Sequence, residues 1–504
     1  MAETQSNPGT TISGNRGLML EEPLIFELGH PGRVAIDLPE PAPVDEDRLA
    51  GCRRAAPLGL PDLAEPQVVR HYTRLSQKNY GIDSGFYPLG SCTMKHNPRL
   101  AEKMARLPGL ADLHPFQPQQ TVQGALEVID LLAHWLKALT GLPAVAMSPA
   151  AGAHGEWCGL MAIKALLEAR GQSDRRRVLV PESAHGTNPA SAAMVGFTVD
   201  SIPAKANGRV DLDALKAKLG DDVACLMLTN PNTCGLFETE ILEIAAAVHA
   251  AGAFFYCDGA NFNAIVGRVR IADLGVDAMH INLHKTFGTP HGGGGPGAGP
   301  TVLSAELAPF APLPFVVADG NGLKLVEHAA EAPDTQPFGR VKGYHGQFGV
   351  FIRALAYILS MGAEGLYQAS TDAVLNANYL LARLKDVLTA PFDGPCMHEC
   401  LFDDGFLKDS GVSTLDFAKA LIDEGFHPMT MYFPLVVHGA LLMEPTESES
   451  RETLDQFVEV VRGLAAKATA GAAEDFKQAP RLTPRRRLDE TLAARNPVLR
   501  WKAE

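Results

Sequence analysis

The chain has 504 residues, of which 46% are hydrophobic and 20% charged. This composition excludes disordered and fibrous proteins and, at about 150 residues per domain, predicts several structural blocks. The 44 Lys and Arg residues and 58 Asp and Glu residues give a net charge of −14, which argues against nucleic acid or an anionic membrane as a partner.

The N-terminal sequence and the cysteines predict a soluble, cytoplasmic protein. The chain starts without a basic stretch followed by an apolar core, and no apolar run approaches the roughly 18 residues that cross a bilayer. The 8 cysteines are sparse and irregularly spaced, which suits reduced thiols better than a disulfide framework.

The predicted elements begin with an arm. Residues 1 to about 68 are proline-rich and weakly periodic, which predicts an extended segment that covers a neighbouring chain. Helical apolar spacing starts at Thr121, and beyond it short apolar runs alternate with amphipathic helical segments. Strands are predicted at 143–147, 176–181, 223–229, 253–257 and 278–283. Buried strands separated by helices predict an α/β fold with a mainly parallel sheet.

The C-terminal part is predicted as a separate, smaller domain. Beyond about residue 340 the pattern is strongly helical, and strand candidates follow near 406–410 and 432–439, before a polar tail from Pro480. We therefore divide the chain into an N-terminal arm with an active-site loop (1–110), a large domain (111–375) and a small C-terminal domain with its tail (376–504).

Three side chains follow successive predicted strands. Asn230, Asp258 and Lys285 are separated by 28 and 27 residues, and each interval fits one βα unit, so the three side chains meet at one edge of the sheet. A poorly solvated lysine amine forms a Schiff base with an aldehyde, and a carboxylate pairs with a pyridinium nitrogen. Pyridoxal phosphate (PLP) needs both groups. Taken singly, Lys285 fits a surface lysine and Asp258 a helix N-cap.

Flanking motifs support a phosphate-bearing ligand. In the loop 148–156, Gly152, Ala153 and His154 lie at a strand-to-helix junction, where free N–H groups favour a phosphate, although a tight turn is the simpler explanation. His185 is placed to stack on a cofactor ring, and His284 to donate to the phosphate. Both also fit ordinary core or turn histidines. The loop lacks the G-K-[ST] ending of a nucleotide P-loop.

Two further motifs are less specific. Cys396 and Cys400 flank His398, but a single such pair is too few ligands, so no metal site is expected. The glycine-rich run 288–300 permits close approach of a ligand or partner backbone, and is equally compatible with a flexible loop.

The strings YPLGSCTMKHNP (87–98), SAHGTNPASA (183–192), MLTNPNTCGLFE (227–238), YCDGANFNAI (256–265) and NLHKTFGTPHGGGGPG (282–297) occur in this order. Together they resemble the PLP-dependent glycine decarboxylases, the P-proteins of the glycine cleavage system. Length and motif placement resemble subunit 2 of the two-subunit bacterial form.

The resemblance implies a fold-type I PLP enzyme with a mostly parallel seven-stranded sheet and a small C-terminal α/β domain. It implies the Schiff-base role for Lys285, pairing of Asp258 with the pyridine nitrogen, ring stacking by His185 and a donor to the phenolic oxygen in Asn230. It also implies a glycine pocket with a wall formed by Ser91, Cys92 and Thr93.

The implied activity is an oxidoreductase step of the glycine cleavage system: decarboxylation of glycine and transfer of the aminomethyl group to the lipoyl arm of H-protein. The implied partners are subunit 1, in a heterotetramer of two copies each, and lipoylated H-protein. Another fold-type I decarboxylase or aminotransferase is the alternative enzyme, and a cofactor-free scaffold subunit is the alternative from a different class.

Overall fold

The structure is a computed structural model that describes residues 21–34, 36, 38–43, 48, 50–56, 58–292, 297–320 and 322–502. Two units are distinguished by their internal contacts: residues 86–477 form one, and residues 1–85 together with 478–504 form the other. Much of the predicted arm, including residues 1–20, and residues 293–296 of the glycine-rich run lie outside the described residues. The predicted boundaries at 110/111 and 375/376 stay predictions.

The larger unit is built on a seven-stranded sheet in the order β1-β7-β6-β5-β4-β2-β3. Its strands are β1 (Ala144–Ala146), β2 (Arg177–Pro181), β3 (Thr198–Ile202), β4 (Val223–Thr229), β5 (Phe254–Gly259), β6 (Ala278–Ile281) and β7 (Thr301–Leu303). Strand β7 runs antiparallel to both of its neighbours, and the pairs from β6 to β3 are parallel. The predicted mostly parallel seven-stranded α/β sheet is therefore confirmed.

Helices cover both faces of this sheet, and each of the two units contains helices. They are α1 (Glu65–Lys78), α2 (Arg99–Ala105), α3 (Pro108–Ala111), α4 (Gln123–Thr140), α5 (Gly152–Ala169), α6 (Thr187–Val195), α7 (Leu212–Lys218), α8 (Ile241–Ala250), α9 (Leu283–Thr286), α10 (Phe348–Leu384), α11 (Thr414–Asp423), α12 (Arg451–Thr469), α13 (Ala473–Gln478) and α14 (Glu490–Arg495).

Alternate residues of the central strands pack on opposite sides of the sheet. In β5, Phe255 and Cys257 join the core that includes α4, α8 and α10, whereas Phe254 and Tyr256 join the core formed with α5 and α6. Since side chains alternate along a strand, Asp258 continues the series that faces α5. The buried sheet thereby directs this carboxylate toward one particular helix.

The smaller sheets differ from the sequence prediction. Strands β8 (Phe315–Ala318) and β9 (Leu323–Val326) form a hairpin, and β10 (Cys400–Phe402), β12 (Leu441–Met443) and β11 (Thr430–Met431) form a three-stranded sheet in that order. The strands predicted near 406–410 and 432–439 are wrong. A 3-10 helix at Asp404–Leu407 is capped by the Asp403 side chain, and Pro434 removes a ladder N–H from the second segment.

Helix α10 is long and apolar enough, by length and composition, to cross a membrane. It packs against α2, α4 and α12 within the larger unit, and its regular backbone is interrupted at Gly362, where φ is 63°. A core helix passes the same test of length and composition, so this one helix is weak support for a membrane span.

The smaller unit contains α1, α14 and extended chain. Glu22 accepts hydrogen bonds from Arg74 at 2.5 and 2.7 Å and contacts His71 at 3.0 Å, which ties the extended chain to α1. Phe26 stacks on Trp501 with ring centroids 4.9 Å apart. Several large apolar side chains of the extended chain stay exposed: Leu24, Val34, Ile36, Leu38, Leu58 and Leu60. This unit therefore presents apolar surface of the kind that a second chain covers.

We predict that Gly155→Ala destabilises the larger unit, even though alanine is the better helix former. A Cβ at Gly155 would lie 2.6 Å from the Gly299 carbonyl oxygen and 2.6 Å from His280 Cβ. Such overpacking lowers the free energy of unfolding by about 1–3 kcal/mol. Gly463 of α12 has open space around it, so Gly463→Ala is the matched control and should gain about 0.5–1 kcal/mol. Urea unfolding of both variants tests this, and an unchanged Gly155→Ala variant would contradict the close packing of α5 on β6.

Candidate active site

A cavity of about 130 Å³ opens where strands β4, β5 and β6 end. It is lined by Ser91, Gly152, Ala153, Glu156, His185, Thr187, Thr229, Thr233, Asp258, Ala260, Asn261, His280, Asn282 and Lys285. A larger and more apolar cavity, of about 360 Å³, lies between α4 and the start of α10 and contains neither Asp258 nor Lys285. The smaller cavity is the candidate active site, because it combines an amine, carboxylates and a helix N-terminus.

Asp258 is a buried carboxylate at the end of β5 that lines the cavity. Its Oδ2 accepts a hydrogen bond from Asn188 Nδ2 at 2.9 Å, its Oδ1 accepts one from the Ala260 N–H at 2.9 Å, and His280 Nε2 lies 3.3 Å from Oδ1. Burial alone would raise the pKa of Asp258, but His280 and the two hydrogen bonds outweigh it and hold the pKa below its usual value. Asp258 is therefore kept as an anion inside the protein.

Lys285 is the amine of the cavity. It lies in the short helix α9, which begins directly after β6, and its side chain is partly buried. Its Nζ donates a hydrogen bond to the Ser91 carbonyl oxygen at 2.6 Å. The parallel pairing of β4 with β5 and of β5 with β6 brings Lys285 to the same edge as Asp258. Both line the cavity, as the spacing of the two residues predicted.

The N-terminus of α5 closes one side of the cavity. The first backbone N–H to bond back into the helix is that of Gly155, to the Ala151 oxygen at 2.9 Å. The N–H groups of Gly152, Ala153 and His154 precede it and are the ones a helix leaves for a ligand. A Cβ at Gly152 would lie 2.7 Å from Asn282 Nδ2, so glycine is needed for this close approach.

Not all of the predicted residues line the cavity. His154 turns back and accepts a hydrogen bond from the Ala150 N–H at 3.1 Å. Asn230 is buried, and its Oδ1 accepts from the Glu238 N–H at 3.1 Å. His284 accepts from the Ala298 N–H at 3.3 Å, and burial, followed by the influence of His291, lowers its pKa to about 3. These three residues surround the cavity without lining it.

His185 lines the cavity at its more exposed side. Its Nδ1 lies 2.9 Å from Thr187 Oγ1, and its ring meets Phe433 edge-on with centroids 5.5 Å apart. Burial lowers the pKa of His185 despite the attraction of Asp258. The ring is therefore neutral near pH 7 and is held at the mouth of the cavity.

The loop at Ser91, Cys92 and Thr93 contributes only Ser91 to the lining of the cavity. Burial raises the pKa of the Cys92 thiol, although Lys285 opposes this effect, so the thiol stays protonated at neutral pH. Ser91 and Thr93 have φ values of 62° and 44°, which are unfavourable for residues with a Cβ. Contacts from other parts of the chain are therefore needed to stabilise this loop conformation.

The sequence analysis missed Glu156, Asn188 and His280. Glu156 is buried in α5 and accepts hydrogen bonds from Thr187 Oγ1 at 2.8 Å and Ser191 Oγ at 2.9 Å. Burial, followed by the nearby Asp258, raises the pKa of Glu156 to about 7. A lone carboxylate in the apolar helix sequence GEWCGLMAIKALL was the available signal. Asn188 and His280 gave none, because only the sheet and α6 bring them to Asp258.

We predict that Glu156 makes wild-type stability fall as the pH rises. Its pKa is raised from 4.5 to about 7 in the folded state, so the folded protein retains a proton that the unfolded chain loses first. Between pH 5 and pH 8 the wild type should lose roughly 2 kcal/mol of unfolding free energy relative to Glu156→Gln. Urea unfolding at several pH values measures the difference. Glu168→Gln, an exposed site on the same helix, is the control, and parallel curves for wild type and Glu156→Gln would refute the prediction.

Comparison with known proteins identifies the family. Models described as "Glycine dehydrogenase, C-terminal domain" and "Aminotransferase class-V" match residues 369–481 and 158–294. The structure resembles that of a glycine decarboxylase (P-protein) of the glycine cleavage system, with a TM-score of 0.69 and 23% identity over 83% of this chain and 94% of that one. It also resembles rice TDC solved with PLP and tryptamine, with a TM-score of 0.62 and 14% identity over 84% and 91% of the two chains. The fold is thus that of the fold-type I PLP enzymes.

Proteins found by sequence comparison share a much higher identity with this chain than these solved structures do. A "Probable glycine dehydrogenase (decarboxylating) subunit 2" of Caulobacter vibrioides is 64% identical over 99% of this chain and 96% of its own length. A protein of the same name from Caldanaerobacter subterraneus is 53% identical over 95% and 98% of the two chains. At this identity and coverage, the chain belongs to the family of glycine dehydrogenase (decarboxylating) subunit 2.

Proposed function

We propose that this protein decarboxylates glycine with PLP and transfers the aminomethyl group to the lipoyl arm of H-protein. The observation that carries the proposal is the cavity itself, in which the Lys285 amine, the Asp258 carboxylate and the N-terminus of α5 face one another. The name of the Caulobacter relative, a glycine dehydrogenase (decarboxylating) subunit 2, supports the substrate.

The residues of the cavity fit PLP. Thr229 Oγ1, Asn261 Oδ1 and Asn282 Oδ1 are buried cavity-lining atoms with no hydrogen-bond partner within the described part of the chain, so a polar ligand would satisfy them. An anionic Asp258 suits a protonated ring nitrogen, and the free N–H groups of α5 suit a phosphate. When bound, PLP supplies an electron sink for the electron pair that the departing carbon dioxide leaves behind.

In this proposal the protein's own groups have separate tasks. Lys285 would hold the cofactor through its amine, and Asp258 would pair with the pyridine nitrogen. His185 would stack on the ring, and Gly152 and Ala153 would bind the phosphate through backbone N–H groups. His154 and His284 would support the cavity from outside its lining. Asn230, whose buried Nδ2 has no partner among the described residues, would be the donor to the phenolic oxygen if the cofactor extended to it.

The loop of Ser91, Cys92 and Thr93 forms the substrate side of the site. The Ser91 carbonyl oxygen already holds the Lys285 amine, so this loop lies where glycine must enter beside the lysine. A small substrate needs a close wall, and the neutral Cys92 thiol adds no charge that would repel the glycine carboxylate.

Membership of the family also supports a proposal for the partners and the location. Relatives named subunit 2 imply a subunit 1, and we propose a heterotetramer of two copies of each subunit that works in the cytoplasm with lipoylated H-protein. The exposed apolar side chains of the extended chain, such as Ile36 and Leu38, support burial against another chain.

We predict that the protein, mixed with subunit 1 and lipoylated H-protein, exchanges labelled carbon dioxide with the carboxyl group of glycine and that Lys285→Ala abolishes the exchange. Borohydride should attach the cofactor to the wild-type peptide containing Lys285 and not to the variant. Because the lysine is one side chain at a strand end, the circular dichroism spectrum should not change. Lys216→Ala, at an exposed position of α7, is the control. Transamination of a 2-oxo acid without exchange would instead favour the aminotransferase alternative.

We also predict that this subunit alone is nearly inactive and gains activity with subunit 1. The apolar surface of its extended chain needs cover, and a site that shields a carbanion from water is best completed at a subunit interface. Size-exclusion chromatography with light scattering, on the chain alone and on the mixture, reports the assembly while the exchange assay reports the activity. A fully active, monodisperse monomer would contradict this prediction.

A further inference from the structure

Two buried glutamates face each other at the end of the three-stranded sheet. Strands β10 and β12 pair antiparallel with Cys400 opposite Met443, so the residues just outside them, Glu399 and Glu444, are also opposite. Both side chains are 0% exposed. Two ionised carboxylates directly opposite each other in a buried place repel strongly, so this arrangement needs a neutralising group.

Each glutamate holds one residue of the loop that carries Ser91. The Ser91 N–H donates to Glu399 Oε2 at 2.8 Å, and the Thr93 N–H donates to Glu444 Oε2 at 2.9 Å. Both loop residues have positive φ values, a strained conformation that persists only where the surroundings fix it. The two carboxylates are therefore the clamp that this loop requires.

The second carboxylate oxygen of each glutamate makes no hydrogen bond to the loop. Glu399 Oε1 and Glu444 Oε1 are buried and have no hydrogen-bond partner among the residues that the structure describes. His398 Nε2 lies 3.7 Å from Glu444 Oε1, too far for a hydrogen bond. The ligand atoms of Glu399, Glu444 and the adjacent His398 all lie within 4.8 Å of one another. One proton held by the pair would leave one acid and one carboxylate, and it would remove the repulsion between two anions.

The other titratable groups around Glu399 and Glu444 do not supply a positive charge that would neutralise the pair. They are His398, Lys285 and the thiols of Cys92, Cys234, Cys396 and Cys400. Burial lowers the pKa of His398, and burial raises the pKa of the four thiols, so these groups are neutral near pH 7. Lys285 opposes the rise in the pKa of Glu399 without reversing it, and its Nζ donates to the Ser91 carbonyl oxygen rather than to either carboxylate. Glu447, behind His398, is paired with Lys95 at 2.6 Å.

We propose that Glu399 and Glu444 share one proton and, as positioning residues, fix the backbone of residues 91–93 so that the Ser91 carbonyl oxygen holds the Lys285 amine. The proposal rests on the proposed function only in the role it gives to Lys285. Burial, followed by the charge of Glu444, raises the pKa of Glu399 well above its usual value, in agreement with an acid at this position.

A divalent cation is the other way to neutralise the pair. The described side chains offer only three ligand groups there, and the positive charge of Lys285 opposes a second cation. Both observations favour the proton. The two possibilities predict opposite results for Glu399→Gln, because an amide imitates a protonated acid but is a poor ligand for a metal.

The test compares Glu399→Gln, Glu399→Ala and the double variant Glu399→Gln/Glu444→Gln, with exposed Glu459→Gln of α12 as the control. Thermal unfolding of the protein between pH 6 and pH 9 is the first readout, since it needs no activity. The folded state keeps the Glu399 proton and the unfolded chain does not, so wild-type stability falls with rising pH, whereas Glu399→Gln lacks this fall. We therefore expect the melting curves of wild type and Glu399→Gln to separate progressively toward pH 9.

Exchange activity with subunit 1 is the second readout. The exchange rate of Glu399→Gln should stay within roughly threefold of the wild-type rate, because an amide can accept from the Ser91 N–H and donate to Glu444 as the protonated acid does. The exchange rates of Glu399→Ala and of the double variant should fall roughly tenfold or more. Alanine removes both hydrogen bonds, and in the double variant two amide donors point toward each other. Equal losses in Glu399→Gln and Glu399→Ala, or parallel melting curves, would overturn the proposal. So would a stoichiometric metal in the wild type that Glu399→Gln loses. A wild type that folds with the expected pH dependence but shows no exchange would refute the proposed function alone.

Discussion

The negative charge of Asp258 is the constraint on which the rest of the active site depends. An ionised carboxylate buried at the end of β5 is costly unless positive charge and hydrogen bonds compensate for it. Asn188 and the Ala260 N–H supply hydrogen bonds, and His280, with Nε2 3.3 Å from Oδ1, and Lys285 add electrostatic attraction. Because these neighbours together outweigh the cost of burial, the carboxylate stays ionised at the end of β5.

The topology explains why this part of the site was predictable from the sequence. Each βα unit returns the chain to the same edge of a parallel sheet, so the spacing of Asp258 and Lys285 carries three-dimensional information. The strands around them are continuous apolar runs, and β4 begins and ends at the predicted residues, Val223–Thr229. The same regularity predicted five of the seven strands, whereas the number seven was implied by the family resemblance. The pattern did not reveal β3 or the three-residue strand β7, nor the antiparallel direction of β7.

The parts of the site that the sequence did not reveal depend on side chains from separate elements. Glu156 comes from α5 and Asn188 from α6, and His280 lies within an apolar strand; no spacing rule connects them. Their meeting depends on how α5 and α6 pack on one face of the sheet. His280 is fixed within the sheet itself, where its Nδ1 lies 2.8 Å from the Tyr256 hydroxyl of the neighbouring strand β5. The prediction of the C-terminal strands was wrong for a different reason. In those segments local turns and Pro434 prevent strand formation despite the apolar pattern.

The two sides of the cavity are held by different kinds of force. At the N-terminus of α5, the close approach of this helix to β6 at Gly152 and Gly155 fixes the geometry by packing, which hardly changes with pH. On the side of the cavity formed by Ser91, the strained loop is held by hydrogen bonds to two buried glutamates that flank strands of the C-terminal sheet. Movement of that sheet relative to β6 would shift the Ser91 carbonyl oxygen away from Lys285. The lysine amine is thus connected, through Ser91 and Glu399, to a part of the chain more than one hundred residues further on, so the geometry of the cavity depends on the three-stranded sheet as well as on the large one.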